Sequence, residues 1–442
     1  MHLHEIQIRN VRSIHALDWK LPQSKPGAGW HVVVGDNGSG KSSFLRSAAL
    51  AMIGPSDALA LRLPWEEWLR KGEEKGSVKV WLGANMQYDK FVGKGPKPKS
   101  ATLDLGLDFL RSKRSGPNSV KIRPSYDGAK PTRHAWGVGS GWFCAAYGPF
   151  RRFTGGDPEY ARMSLKFPKL ARYLSIFDER VALSESLEWL QALKFKALEV
   201  AEKSGNHSSR FDLLPSIFEF INQPDFLPFQ ARLEEITSES VRFVDGNAME
   251  VRIEDLSDGY RSILSMTFEL IRQLAAVYSP SRLFDPQDPT RVLPEGVVLI
   301  DEIDVHLHPT WQRRIGFWFR KHFPNIQFLV TTHSPLICPA AAGGSIYLLP
   351  RPGEAGGGGM LGGTKLKRLI NGNVLDAYGT GVFGKGVTRS EPSKARLRRL
   401  AELNALEQIQ GLNAAQKKEQ EEIRGTMPTA SGVLSPPDDT DS

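Results

Sequence analysis

Trp30-His31-Val32-Val33-Val34-Gly35-Asp36-Asn37-Gly38-Ser39-Gly40-Lys41-Ser42-Ser43 is the stretch on which the reading of the whole chain turns. Trp30 to Val34 is a short apolar run, the pattern of a strand buried on both faces. It runs directly into the glycine loop Gly35–Ser42, and a helical pattern follows from Ser43 to Ile53. Strand, glycine loop and helix together are the context that a phosphate-binding loop requires. Gly35, Gly38 and Gly40 carry no Cβ, so backbone N–H groups can converge on phosphate oxygens. Lys41 is placed to reach the β- and γ-phosphates, and the Ser42 hydroxyl to ligate Mg²⁺. Asn37, Ser39 and Ser43 complete the candidate nucleotide-binding set, and the positive end of the helix adds to it. The competing reading is a tight strand-to-helix turn with no ligand.

Composition sets the outer limits. The chain has 442 residues, 40% of them apolar, enough for two or three domains at about 150 residues each. The net charge of +8 excludes an acidic disordered chain and leaves DNA or RNA open as a partner. The excess is local: between Lys90 and Arg133 there are 11 Lys/Arg against 3 Asp/Glu, an imbalance equal to that of the whole chain. Lys94, Lys97 and Lys99 sit there among Gly and Pro, as in an exposed loop. Such a stretch is either a phosphate-backbone footprint or a solvated loop. Two cysteines, Cys144 and Cys338, exclude a disulfide framework and a four-cysteine zinc module and fit a reducing compartment. No run approaches the ~20 apolar residues of a membrane helix, and the N-terminus alternates like a strand instead of forming a signal core. The expected location is the cytoplasm, with no membrane partner.

Further strands are expected at His2–Ile8, Trp142–Phe150, Gly296–Ile300, Gln327–Thr331 and Ser345–Leu349, with a turn at Asn10–Ser13 and a helix over Pro309–His322. The alternation predicts an α/β fold with a mostly parallel sheet. Residues 75 to 135 read as an antiparallel β subdomain, and Ser240 to Ile253 as a hairpin turning at Asp245-Gly246. The expected organisation is an N-terminal lobe (1–155), a helical insertion (156–250), a C-terminal lobe (251–350), an extension with a helical hairpin (351–425) and a disordered tail (426–442). In that hairpin Gly411 stops the first helix, and Asn413 with Gln416 forms a capping box for the second.

Three more motifs carry chemistry. Val297-Val298-Leu299-Ile300 ends in Asp301-Glu302, placing two carboxylates at the C-terminal edge of a buried strand, where open α/β sheets bind ligands. Asp301 is a candidate Mg²⁺ ligand, and Glu302 a candidate to orient or deprotonate an attacking water. Phe328-Leu329-Val330-Thr331-Thr332 delivers His333 to the same kind of edge, either to meet a γ-phosphate or water or to serve a structural role. Leu256-Ser257-Asp258-Gly259-Tyr260 precedes a helical run, so Ser257 either contacts a phosphate or simply caps that helix.

In this order the four motifs resemble the ABC-type ATPases, and within them the branch of RecF, the structural-maintenance-of-chromosomes proteins and the overcoming-lysogenisation-defect nucleases. The resemblance covers roughly residues 1–55 and 140–350. It makes G-D-N-G-S-G-K-S the Walker A, Asp301-Glu302 the Walker B with its catalytic glutamate, L-S-D-G-Y the signature and His333 the switch histidine. It implies ATP and Mg²⁺ as ligands, and a homodimer or higher oligomer that sandwiches two nucleotides. Ser257 and Gly259 of one protomer then complete the site of the other. His308, within H-L-H-P, falls at the D-loop position. The Q-loop glutamine has no clear counterpart, and Ala146–Arg151 occupies its place. A metal site at His306, His308 and Asp304 is the weaker reading of H-L-H-P.

Ala146–Arg152, Ser186–Leu190, L-S-D-G-Y, H-L-H-P and Val374–Gly384 resemble the ATPase subunits of Septu-type and retron-associated antiphage systems. That resemblance implies an ATPase that regulates a separate effector, such as an HNH nuclease, with no nuclease activity of its own. The hairpin and its basic stretch Lys394–Arg399 are then a docking surface or a segment packed on the core. A RecF-like DNA-binding ATPase of repair is the alternative. A transporter subunit fits less well, given the helical insertion and long C-terminal region.

Overall fold

The computed structural model describes residues 1–85, 88–90, 101–112, 119–137, 141–204, 213–224, 226–354, 356, 358–384 and 390–426. Two compact units divide the chain, Met1–Phe383 and Gly384–Ser442.

In the first unit the chain enters through β1 (His2–Val11), β2 (Ile14–Lys20) and β3 (Gly29–Val34), then helices α1 (Lys41–Ile53) and α2 (Pro55–Ala60). β4 (Lys75–Gly83), β5 (Thr102–Arg111) and β6 (Val120–Ser125) join β1 and β2 in an antiparallel sheet of order β2-β1-β4-β5-β6. β7 (Cys144–Tyr147) is followed by α3 (Pro158–Lys166), α4 (Pro168–Ala171), α5 (Leu174–Phe177), α6 (Glu185–Ser204) and α7 (Leu214–Ile221). A small antiparallel sheet of β8 (Arg232–Ile236), β9 (Val241–Val244) and β10 (Glu250–Arg252) leads into α8 (Asp258–Val277). β11 (Gly296–Ile300), α9 (Pro309–His322), β12 (Ile326–Thr332), β13 (Ser345–Leu348), β14 (Gly359–Met360), α10 (Gly363–Asn371) and α11 (Val374–Gly379) finish the unit.

The central sheet has the order β14-β13-β3-β12-β11-β7, parallel throughout except at the edge strand β14. Its strands alternate between two cores, which is why they read as continuous apolar runs. Val33, Leu299 and Leu329 face a cluster containing α1 and the antiparallel sheet. Val32, Val34, Val298, Ile300, Phe328 and Val330 face one containing α8 and α9. Helix α1 is therefore covered by sheet on two sides, and Phe44, Leu45 and the run Ala48–Ile53 are all buried. Parallel pairing puts the C-terminal ends of β3, β7, β11 and β12 on one edge. Val34 lies opposite Thr332, and Ile300 opposite both Val330 and Tyr147.

Several elements depart from the sequence reading. β1 continues to Val11, and the turn is made with Asn10 and Arg12 at positive φ. β7 covers only Cys144–Tyr147 of the expected Trp142–Phe150. The stretch read as a helical insertion contains β8: Leu233 and Ile236 are three apart, as on a helix face. A β-bulge between Leu233 and Glu235 lets both point inward. Gly359, read as loop, pairs with Leu348 in the edge strand β14. Lys94, Lys97 and Lys99 lie outside the described residues. No helix among the described residues is long and apolar enough to cross a membrane.

In the second unit α12 (Glu391–Gln410) and α13 (Ala414–Thr426) form a hairpin around Leu400, Leu403 and Ile423. Gly411 adopts φ +77° between them. Asn413 N–H donates to Gln416 Oε1 at 3.0 Å, and Gln416 N–H to Asn413 Oδ1 at 2.8 Å, the reciprocal pair of a capping box. Gly425 and Thr426 continue this last helix, and residues 427–442 lie outside the described chain.

Candidate phosphate-binding site

The glycine loop leaves the buried end of β3 and turns at Ser39, whose N–H donates to the Asp36 carbonyl at 3.1 Å. Gly40, at φ +94°, is the N-cap of α1 and lies against the β1–β2 turn, where an added Cβ would meet Ser13 Oγ at 3.1 Å. The first turn of α1 holds no acidic residue and receives no side-chain cap. Its leading N–H groups and the positive helix end therefore remain for an anion. Lys41 is buried, and its Nζ donates to the carbonyls of Gly35 at 2.8 Å and Asp36 at 3.1 Å. Burial pushes the ammonium below its ordinary value, while Glu302, Asp301, Asp304 and Asp36 favour the charged form. Asn37 and Gly38 are exposed, and Ser39, Ser42 and Ser43 half-buried.

At the end of β11, Asp301 is 1% exposed, and its N–H donates to the Tyr147 carbonyl at 2.8 Å. The Thr331 hydroxyl donates to Asp301 Oδ1 at 2.6 Å and accepts the Glu302 N–H at 2.8 Å. Asp301 Oδ2 is buried with no hydrogen-bond partner. A buried carboxylate oxygen without a donor is costly. That oxygen and the Ser42 hydroxyl are the kind of hard oxygen donors that Mg²⁺ prefers. Glu302 is held at φ +47°, a left-handed conformation that a non-glycine residue occupies at a cost of about 1–3 kcal/mol. The next residue is anchored too, Ile303 N–H donating to the Thr331 carbonyl at 3.1 Å. Thr332 Oγ1 donates to Asp304 Oδ1 at 2.6 Å, so consecutive threonines of β12 bind both acids that flank the turn.

His333 follows directly and is exposed. Partial desolvation, then the Lys41 charge, holds its imidazole below the ordinary histidine value, against the opposing pull of Asp304 and Glu302. Ser257 is the N-cap of α8, yet its hydroxyl makes no capping hydrogen bond. Helix capping thus leaves that exposed hydroxyl unexplained. Gly259 packs against the turn after β11: a Cβ there would lie 2.9 Å from the His306 carbonyl oxygen. His308 is exposed and caps α9, with Nδ1 accepting the Thr310 N–H at 3.4 Å.

Lys41, Asp301, Glu302 and His333 thus share one electrostatic neighbourhood on the sheet edge, whereas Gly259 adjoins the His306 segment. Sequence reasoning assigns no role to Thr331 and Thr332, whose only signal is a Thr pair before His333. Asp36 also pairs with Arg351 at 3.1 Å, and Arg351 Nη2 donates to the Gly381 carbonyl at 3.4 Å. That contact joins the glycine loop to the end of the Val374–Gly384 segment, and distance along the chain hid it.

The glycine loop, the acidic pair and the histidine therefore follow the ends of the adjacent parallel strands β3, β11 and β12. Residues 163–338 match the family described as "AAA domain, putative AbiEii toxin, Type IV TA system", a span that holds Ser257, Asp301, Glu302 and His333. The chain is 27% identical over 353 residues to Septu protein PtuA of Bacillus mycoides, covering 78% of this chain and 40% of that protein. It is 40% identical over 124 residues to the Retron Ec83 probable ATPase of Escherichia coli, covering 28% of this chain and 22% of that protein. Among solved structures, a Smc head domain from Pyrococcus yayanosii aligns with a TM-score of 0.47 at 12% identity, covering 84% of this chain and 98% of that one. The chain thus spans 40% and 22% of the lengths of the Septu and retron relatives.

Proposed function

We propose that this protein binds and hydrolyses ATP at composite sites between two copies of itself, and that nucleotide state governs a separate effector in antiphage defence. The observation that carries the catalytic part is the locked acidic turn: Asp301 keeps one buried oxygen without a donor, and Thr331 fixes Asp301 and Glu302 together. The exposed N–H groups of α1 and Lys41 bind the phosphates. Mg²⁺ held by Ser42 and Asp301 would neutralise phosphate charge. Glu302 orients the attacking water and accepts its proton. The water oxygen bonds to the γ-phosphorus, the bond to the bridging oxygen breaks, and ADP leaves with that electron pair. His333, whose imidazole is held below its ordinary value by desolvation and the Lys41 charge, meets the γ-phosphate side as a hydrogen-bonding group. Ser257 and Gly259 close the site of the other protomer, with His308 at the seam. The effector part rests on the similarity to the Septu and retron proteins, and a nuclease is the effector class it favours.

Lys41→Ala and Glu302→Gln test this reading by labelled-ATP binding and phosphate release. Lys41→Ala loses nucleotide affinity. Glu302→Gln keeps it and loses about 100-fold or more in turnover, the scale of a general base. Wild-type turnover by Glu302→Gln overturns the catalytic assignment, and wild-type affinity in Lys41→Ala overturns the site.

A further inference from the structure

Arg151 lies four residues beyond β7, where ABC-type proteins carry the Q-loop, and is 3% exposed. Its guanidinium joins two elements distant in sequence. Nε donates to Ser262 Oγ, in the second turn of α8, at 3.0 Å. Nη1 donates to the carbonyls of Gly148 and Asp301, both at 3.0 Å. Nη2 donates to the carbonyls of Glu302 at 3.2 Å and Ile303 at 3.4 Å. The left-handed turn at Glu302 is thus gripped from both sides, its N–H groups by Thr331 and its carbonyls by Arg151. The Gly259 backbone pressed on the His306 carbonyl is a second, purely steric link between α8 and the same segment.

We propose that Arg151 is a positioning residue that couples the signature helix to the Glu302 turn, so that the nucleotide engaging α8 tunes hydrolysis at the other nucleotide. This rests on the composite-site reading above. In such a sandwich, Ser257 and Gly259 face the partner's nucleotide, while Glu302 of the same chain serves its own. Helix shifts at subunit interfaces run to about 1–2 Å. A shift of that size in α8 cannot leave both ends of a planar, fully engaged guanidinium in place. Either the Ser262 bond breaks or the carbonyls of residues 301–303 move with it. A lysine, a point charge on a flexible stem, cannot hold that fork.

The test uses the full chain and compares Ser262→Ala, Ser262→Thr and Arg151→Lys with wild type by ATP dependence of turnover and by labelled-ATP binding. Ser262→Ala cuts the link to α8 and leaves the guanidinium on the Glu302 turn. Wild type is expected to be sigmoidal, with a Hill coefficient above 1. Ser262→Ala keeps nucleotide affinity within about threefold but its coefficient falls toward 1, because the hydrogen-bonded link is cut and only the steric contact at Gly259 remains to carry coupling free energy. Ser262→Thr, which keeps the hydroxyl, retains the sigmoid. Arg151→Lys loses it and also loses about tenfold or more in kcat with KM little changed. A hyperbolic wild type, or Ser262→Ala as sigmoidal as wild type, overturns the coupling. An inactive Glu302→Gln beside a sigmoidal Ser262→Ala rejects only this inference, whereas an active Glu302→Gln rejects the underlying ATPase assignment.

Discussion

Thr331 gives the acidic turn its shape. One hydroxyl satisfies a carboxylate oxygen of Asp301 and the backbone N–H of a strained Glu302. Thr331→Val keeps the branched shape and removes both bonds, leaving a buried acceptor and donor unmatched. Stability in denaturant melts should fall by about 1–3 kcal/mol. Turnover should fall through kcat more than KM, because the Glu302 turn loosens while the phosphate loop is untouched. Thr331→Ser should restore both. Equal kcat in Thr331→Val would show that the hydroxyl does not position Glu302. Asp301, Glu302 and His333 are legible as candidates because they follow directly on apolar runs, and Lys41 because it closes the glycine loop, signals local in sequence. Thr331 is not, and Arg151, with Tyr147 a candidate at the Q-loop place, has no role in the sequence, because both depend on the neighbour order β12-β11-β7, which the sequence alone does not state.

At the scale of elements, β3 shows what periodicity conceals. Its apolar run predicts a buried strand, and it is one, but His31 lies fully buried within it. Nδ1 is 3.0 Å from Ser345 Oγ of β13, and Nε2 is 2.9 Å from the Gly27 carbonyl. Burial pushes its pKa down to about 4, with the Gly27 hydrogen bond opposing. The unfolded chain therefore binds a proton near pH 6.5 that the native chain refuses until about 4. The stability contribution is complete above 6.5 and is lost as pH falls through that window, up to about 3 kcal/mol. His31→Gln should flatten the acid side of the stability curve between pH 7 and pH 4. Curves that stay parallel would contradict the assignment. β8 teaches the converse lesson. Its Leu233–Ile236 spacing imitates a helix because a bulge, set by pairing with β9, absorbs the extra residue.

For the whole molecule, the proposed function makes the first unit half of a site. The sheet edge of one chain gathers Lys41, Asp301, Glu302 and His333, while the exposed Ser257, whose hydroxyl caps nothing, stands at the start of a helix braced against the Glu302 turn. The mostly parallel architecture and the hairpin of the second unit were readable from alternation, from Gly411 and from the Asn413–Gln416 pair, all local features. The central claim is that two copies share their nucleotide sites. Native mass determination of Glu302→Gln with ATP and Mg²⁺ tests it most directly. Shared sites require a species of two chains, or a multiple of two, carrying one nucleotide per chain, which adding Ser257→Arg returns to single chains that still bind ATP. A single nucleotide-loaded chain in Glu302→Gln, or an oligomer indifferent to Ser257→Arg, would contradict it.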